Sequence, residues 1–134
     1  MPKIVIRKDE IIHVKTLTEG AMLRNPALAD RMLEELGHAR TVKSNPAPKN
    51  VVSIGNTVTY RDEATGQTNT VTLVYPEHAD ILRNRISIMT PVGVALFGLS
   101  VGAASYCDTR SDQRRLLTVI DVVPPSENES DNPL

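Results

Sequence analysis

VVSIGNTVTYRDEATGQTNTVTLVYP (residues 51–76), followed after a short connection by ISIMTPVGVALFGLSVG (residues 86–102), is the stretch on which the fold turns. In its first half Val58 and Tyr60 alternate with Thr57, Thr59 and Arg61, and Val71, Leu73 and Tyr75 alternate with Thr70, Thr72 and Val74. A period of two in β-branched and aromatic residues marks half-buried strands. Between the two runs lies Asp62-Glu63-Ala64-Thr65-Gly66-Gln67, where Gly66 supplies a residue that accepts positive φ, so the pair reads as a hairpin. The second half opens with a third strand over 85–89 that runs directly into a helix start. Thr90 is the expected cap and Pro91 the first helical residue, where its missing N–H leaves nothing unpaired. That helix must be short, because Gly98 and Gly102 follow at once.

Working outward, residues 3–7 fit a short strand and Asp9 a helix cap, with Ile11, Val14, Leu17 and Ala21 at helical spacing. Asn25-Pro26 restarts a second helix carrying Ala29, Met32, Leu36 and Ala39 on one narrow seam. Two helices of ~15 residues, roughly 22 Å each, joined by a tight turn make an antiparallel hairpin. So thin a seam gives little independent stability, and the hairpin should lean on the rest of the chain. Residues 41–50, with Pro46 and Pro48, read as a linker. Residues 103–107 form a further strand, 108–113 a polar turn and 115–123 the last strand. In that strand Leu117, Val119 and Asp121 fall on one face and Leu116, Thr118, Ile120 and Val122 on the other. Pro124-Pro125 ends it, and the acidic residues 126–134 are expected to be disordered. The fold class is α+β: a short helical hairpin, residues 1–45, and an antiparallel sheet of four or five strands with one short helix, residues 46–124, followed by the tail 125–134.

Composition narrows the function. One hundred and thirty-four residues make one modest domain or a core with a small appendage, and with no Trp and one Phe the packing falls to aliphatic side chains. A net charge of -1 disfavours a protein that coats nucleic acid, so direct DNA binding is not expected. A single Cys107 excludes an internal disulfide and a multi-cysteine zinc site, and reads as a buried, inert thiol. His13, His38 and His78 lie far apart, and no metal or cofactor is expected. The apolar start Ile4-Val5-Ile6 is too short for a signal-peptide core or a membrane span, which points to the cytoplasm. Gly93, Gly98 and Gly102 lack the Lys-Ser/Thr of a phosphate loop.

A hairpin followed by I-S-x-x-[ST]-P-x-G-x-A-L-x-G-x-x-x-G, here Ile86, Ser87, Thr90, Pro91, Gly93, Ala95, Leu96, Gly98 and Gly102, resembles the C-terminal domain of the Gre transcript-cleavage factors. The run Val51, Val52, Gly55, Thr57, Val58 and the tract Thr72-Leu73-Val74-Tyr75-Pro76 match as well. The likeness is strongest to the short relatives called regulators of nucleoside diphosphate kinase. The resemblance implies an FKBP-like C-terminal domain that grips RNA polymerase at the rim of its secondary channel. It also implies, for Gre factors themselves, acids at the tip of a long coiled coil that hold a metal ion in the polymerase active site. In this chain the expected tip, Gly20-Ala21-Met22-Leu23-Arg24-Asn25, has no carboxylate, and the hairpin is far shorter. Asp30, Glu34 and Glu35 read as solvated charges on the second helix. Prolyl isomerisation, the other activity the fold suggests, needs an aromatic-lined pocket that one Phe and three Tyr hardly supply.

The expectation is therefore a monomeric, non-enzymatic regulator that binds bacterial core RNA polymerase, with a regulator of nucleotide metabolism acting through nucleoside diphosphate kinase as the alternative. Arg83, Arg85, Arg110, Arg114 and Arg115 are read as one cluster, since arginine favours bidentate recognition of carboxylates. The partner-binding residues are expected to be Arg83, Arg85, Thr90 and Pro91.

Overall fold

A computed structural model describes residues 5–42, 50–108 and 114–124. The chain runs β1 (Val5–Arg7), α1 (Lys8–Ala21), α2 (Pro26–Gly37), β2 (Arg40–Val42), β3 (Thr57–Asp62), β4 (Thr68–Val74), two 3-10 turns (Pro76–His78 and Ile81–Arg83), β5 (Arg85–Ser87), α3 (Pro91–Leu96), β6 (Ala104–Asp108) and β7 (Arg114–Val123). The α+β class and both hairpins stand as the sequence implies.

The helical hairpin starts slightly earlier than its caps suggest. α1 begins at Lys8, straight out of β1, so Asp9 lies inside its first turn rather than capping it. Asn25 does cap α2, its Oδ1 accepting from the Leu28 N–H at 3.3 Å, with Pro26 in the first turn. Val14, Ala29, Met32 and Leu36 are buried as their spacing demands. Thr18, buried between them, satisfies its hydroxyl on the Val14 carbonyl at 2.7 Å. β1 pairs with β2 in parallel, so the chain just after α2 is tied back beside the first residues described. That pairing takes residues 41 and 42 out of the expected linker. Residues 43–49 and the expected disordered tail lie outside the described residues.

The main sheet has the order β5-β4-β3-β7-β6. β3, β4, β6 and β7 pair antiparallel, but β5 lies parallel to β4, with Leu73 opposite Ile86. The sheet is thus mixed rather than wholly antiparallel. The cause is the connection over 75–84: its two 3-10 turns carry the chain back along the sheet before β5 begins, where a two-residue loop would have reversed it. Gly66 in the β3–β4 turn adopts φ +77°, as the turn requires.

One register shift changes which side chains face inward. Thr59 pairs with Asp121 but Tyr60 pairs with Val119, so Ile120 is an extra residue in β7. Such a bulge inverts the alternation beyond it. Leu117 and Val119 are buried as expected, but beyond the bulge Val122 turns inward and Asp121 faces solvent. Strict alternation had put Asp121 with Leu117 and Val119, and the bulge corrects it.

A single core joins hairpin and sheet. Ile6, Val14, Met32 and Leu36 belong to the same cluster as Val58, Leu73, Ile88, Leu96, Phe97, Leu99 and Val119. Polar contacts reinforce the join: an Arg31 Nη2 donates to Ser105 Oγ at 3.1 Å, and the His13 ring stacks on Tyr75 with centroids 4.2 Å apart. The thin seam of the hairpin is completed by the sheet domain.

At the β3–β4 turn, Arg115 Nη1 donates to Asp62 Oδ2 at 2.7 Å, and the Ala64 N–H donates to Asp62 Oδ1 at 2.9 Å. The Arg115 hydrogen bond is the main reason the Asp62 carboxyl is held below its ordinary range; desolvation opposes it, and the Ala64 N–H and the Arg115 charge add to the lowering. A carboxylate with a depressed folded pKa stabilises the fold above its unfolded value of about 3.9, and that stability is lost as pH falls through the lower folded value. Asp62→Asn is expected to lower the melting temperature at pH 7 and to flatten its fall below about pH 4. Thermal melts between neutral and acid pH check this, and an unchanged acid slope would show that the pair carries none of it.

Candidate protein-interaction site

The four residues expected to bind a partner lie in one continuous piece of chain, the edge formed by β5 and its flanks. The segment is built from Asp80 upward. Its Oδ1 accepts from the Leu82 N–H at 3.2 Å, starting the 3-10 turn. Its backbone exchanges two hydrogen bonds with Arg85, at 2.8 and 2.9 Å, which close the base of that turn. Asn84 ends it at φ 58°, a left-handed conformation asparagine tolerates better than most residues. Asn84 also anchors the loop to the sheet through its carbonyl, which accepts from the Thr72 N–H at 2.8 Å. Arg83 is solvent-exposed and reaches Asp80 at 3.6 Å, a surface pair of small energetic weight. Arg85 is exposed at the start of β5.

After β5 the chain turns into α3 through a polar relay. The Thr90 hydroxyl donates to the Ser87 carbonyl at 2.8 Å and accepts from the Gly93 N–H at 3.0 Å. The Ser87 hydroxyl accepts from the Met89 N–H at 2.9 Å. Thr90 is therefore the cap the sequence predicts, and its hydroxyl is committed to holding the turn. Pro91 sits exposed in the first turn, whereas Gly93, Val94, Ala95 and Leu96 are buried. The helix mostly covers the sheet, and only its first turn faces outward.

The arginines do not form one cluster. β5 lies at one edge of the sheet and β7 three strands away, so Arg114 and Arg115 are separated from Arg83 and Arg85. Arg115 is occupied by Asp62, and Arg114 lies over the Tyr106 ring at 5.5 Å. Arg110 lies outside the described residues. Their shared place on connections and strand ends suggests one patch, but the topology sets Arg83 and Arg85 apart from Arg114 and Arg115.

Two neighbours escaped the sequence reading. Ile81 and Leu82 are 83% and 96% exposed, at the outer end of the turn between Asp80 and Arg83. The signal was present in Asp80-Ile81-Leu82-Arg83-Asn84, where two large aliphatics interrupt a polar connection with no periodicity to bury them.

Elsewhere, the turn joining α1 to α2 falls where the tip was expected, with Leu23 96% exposed. A groove of about 780 Å³ lies between α2 and the β6–β7 edge, lined among others by Asp30, Arg31, Glu34, Glu35, Tyr106 and Arg114. Glu35 is half-buried there, and burial raises its pKa although Arg31 opposes the rise. It is thus less solvated than expected, while Asp30 and Glu34 are exposed. Phe97 and Tyr60 lie in the core, and Tyr75 packs against the His13 ring. Among the described residues no group of three or more His, Cys, Asp or Glu is placed to hold a metal, and no helix is long and apolar enough to cross a membrane.

Known proteins resemble this chain over most of its length. Residues 47–124 match the family model of the transcription elongation factor GreA/GreB C-terminal domain. A regulator of nucleoside diphosphate kinase from Escherichia coli is 32% identical over 101 residues, which is 75% of this chain and 74% of that protein. Transcription elongation factor GreA of Thermosipho melanesiensis is 42% identical over 53 residues, but these span only 34% of its length. Among solved structures, a transcription elongation factor GreA/GreB from Nitrosomonas europaea superposes with a TM-score of 0.70 at 29% identity, covering 92% of this chain and 99% of that one. With the Thr90-Pro91 cap, the buried Gly93 and the helical hairpin in place, the chain belongs to the GreA/GreB elongation-factor family through its C-terminal domain, alongside the regulators of nucleoside diphosphate kinase.

Proposed function

We propose that this chain is a cytoplasmic, monomeric regulator of transcription that binds bacterial RNA polymerase at the secondary-channel entrance and does not stimulate transcript cleavage. The observation that carries the reading is the combination of a Gre C-terminal domain with a hairpin tip, residues 20–25, that contains no carboxylate. A metal ion in the polymerase active site needs oxygen ligands, and Leu23 and Arg24 at the turn supply none. α1 and α2, of 14 and 12 residues, extend only about 21 and 18 Å at 1.5 Å per residue. In this reading residues 46–124 grip the polymerase, residues 1–45 form the short arm and residues 125–134 an acidic tail. Arg83, Arg85, Thr90 and Pro91 form the contact: the arginines provide charge, and the capped turn keeps the cost of ordering low.

The test is binding of the purified chain to core RNA polymerase by interferometry at several salt concentrations. Binding at micromolar or tighter affinity that weakens with salt is expected. The variant Arg83→Ala/Arg85→Ala should melt as wild type does, since both side chains face solvent, yet bind more weakly. A folded double variant with wild-type affinity would displace the contact from this edge. The name of the Escherichia coli relative favours a second reading, action on nucleotide metabolism through nucleoside diphosphate kinase. A pull-down in which the kinase, not polymerase, is the stoichiometric partner would select it.

A further inference from the structure

Single aliphatic side chains on a surface are ordinary, but an adjacent pair held rigidly in solvent is not. Among the described residues with exposed large hydrophobic side chains, Ile81 and Leu82 are the only two that are neighbours in sequence. Their backbone is fixed on every side. The Asp80 carboxylate accepts from the Leu82 N–H, the Asp80 carbonyl accepts from Arg83 at 3.0 Å and Arg85 at 2.9 Å, and the Ile81 carbonyl accepts from Asn84 at 3.0 Å. A left-handed Asn84 then returns the chain to the sheet edge. Pinning a two-residue apolar tip in this way removes most of the ordering penalty that a flexible loop would bear on binding.

Charge limits what the tip fits. Arg83 and Arg85 flank it, both exposed, and Asp80 is engaged beneath the turn. We infer that Ile81 and Leu82 are the central anchor of a protein-docking surface, inserting into an apolar depression that the partner borders with carboxylates. This deepens the polymerase-binding reading and rests on it: the anchor continues along the chain through Arg85 to the exposed Pro91, and arginines form its rim. Apolar side chains buried at the centre of an interface carry most of its energy, while rim charges govern encounter and salt dependence. The two groups should therefore fail differently when removed.

The experiment compares core RNA polymerase binding by wild type, Ile81→Ser/Leu82→Ser, Leu82→Ser alone and Arg83→Ala/Arg85→Ala across a salt series, with thermal melts of each. The apolar double variant should melt as wild type does and bind at least about tenfold more weakly, mainly through faster dissociation, with its salt slope unchanged. Leu82→Ser alone, at the more exposed position, should show part of that loss. The arginine variant should lose affinity chiefly at low salt and show a shallower slope. Wild-type affinity in a folded Ile81→Ser/Leu82→Ser protein overturns the anchor while leaving polymerase binding intact. Absence of wild-type binding removes both. Should sedimentation show a wild-type dimer that Leu82→Ser dissociates, the tip is a self-association surface and the inference is likewise overturned.

Discussion

Gly93→Ala is expected to be severely damaging for the addition of a single methyl group. A Cβ at Gly93 would collide with the Ser87 carbonyl oxygen and lie 2.7 Å from the Ile88 Cα, backbone atoms at the end of β5 and just beyond it. Side chains can rotate away from an added methyl, but here the strand or the helix would have to move. The Thr90 relay ties the two together within three residues, so either movement breaks the hydrogen bonds to Ser87 or to the Gly93 N–H itself. Overpacking of a core costs about 1–3 kcal/mol, occasionally more, and the backbone obstruction places this substitution at or above the upper end. Gly20→Ala is the matched control. It adds the same methyl inside α1 with no atom within 4 Å, and helix propensity predicts a gain of up to about 1 kcal/mol. Urea denaturation of the two variants reads both signs at once. Gly93→Ala unfolding at the wild-type midpoint would mean that α3 does not pack this closely on β5.

Leu96→Ala is expected to remove about 2–5 kcal/mol, the range for truncating a buried leucine. Leu96 is fully buried in the cluster that joins Met32 and Leu36 of the helical hairpin to Leu73, Ile88 and Val119 of the sheet. Because those elements share one core, the loss should appear as a shift of a single transition, by fluorescence and circular dichroism alike. A first transition confined to helix signal, with the sheet unfolding later, would show that hairpin and sheet are separate cooperative units. Loss of polymerase binding in Leu96→Ala would follow from unfolding alone, which is why the exposed Arg83, Arg85, Ile81 and Leu82 are the informative positions for function.

The contrast between those positions shows what could be read in advance. Local chemistry was legible: Thr90 before Pro91, Asn25 before Pro26, Gly66 between two alternating runs and the buried trio Ala29, Met32 and Leu36 all occupy their expected roles. Features set by tertiary pairing were not. No residue type at 119–121 announces the bulge at Ile120, which comes from how β7 matches β3 and carries Asp121 out and Val122 in. The parallel placement of β5 depends on the path of the 75–84 connection, not on the composition of either strand. The arginines at connections and strand ends read as one patch, but strand order sets Arg83 and Arg85 apart from Arg114 and Arg115. Ile81 and Leu82 match neither helical nor strand periodicity, so the sequence marks them as aliphatics out of place in a polar connection, and the placed turn shows that both face solvent.

The measurement that bears most directly on the proposed role is RNA cleavage in backtracked elongation complexes, with and without a Gre cleavage factor. Added alone, this chain should leave the RNA 3′ end intact, since its tip residues 20–25 bring no carboxylate to the catalytic metal. Added with the cleavage factor, it should slow cleavage in proportion to its concentration, as a competitor for the same channel entrance. Shortened RNA above a mock-purified control when it acts alone, or factor-driven cleavage at full rate in the presence of saturating protein, would contradict the account.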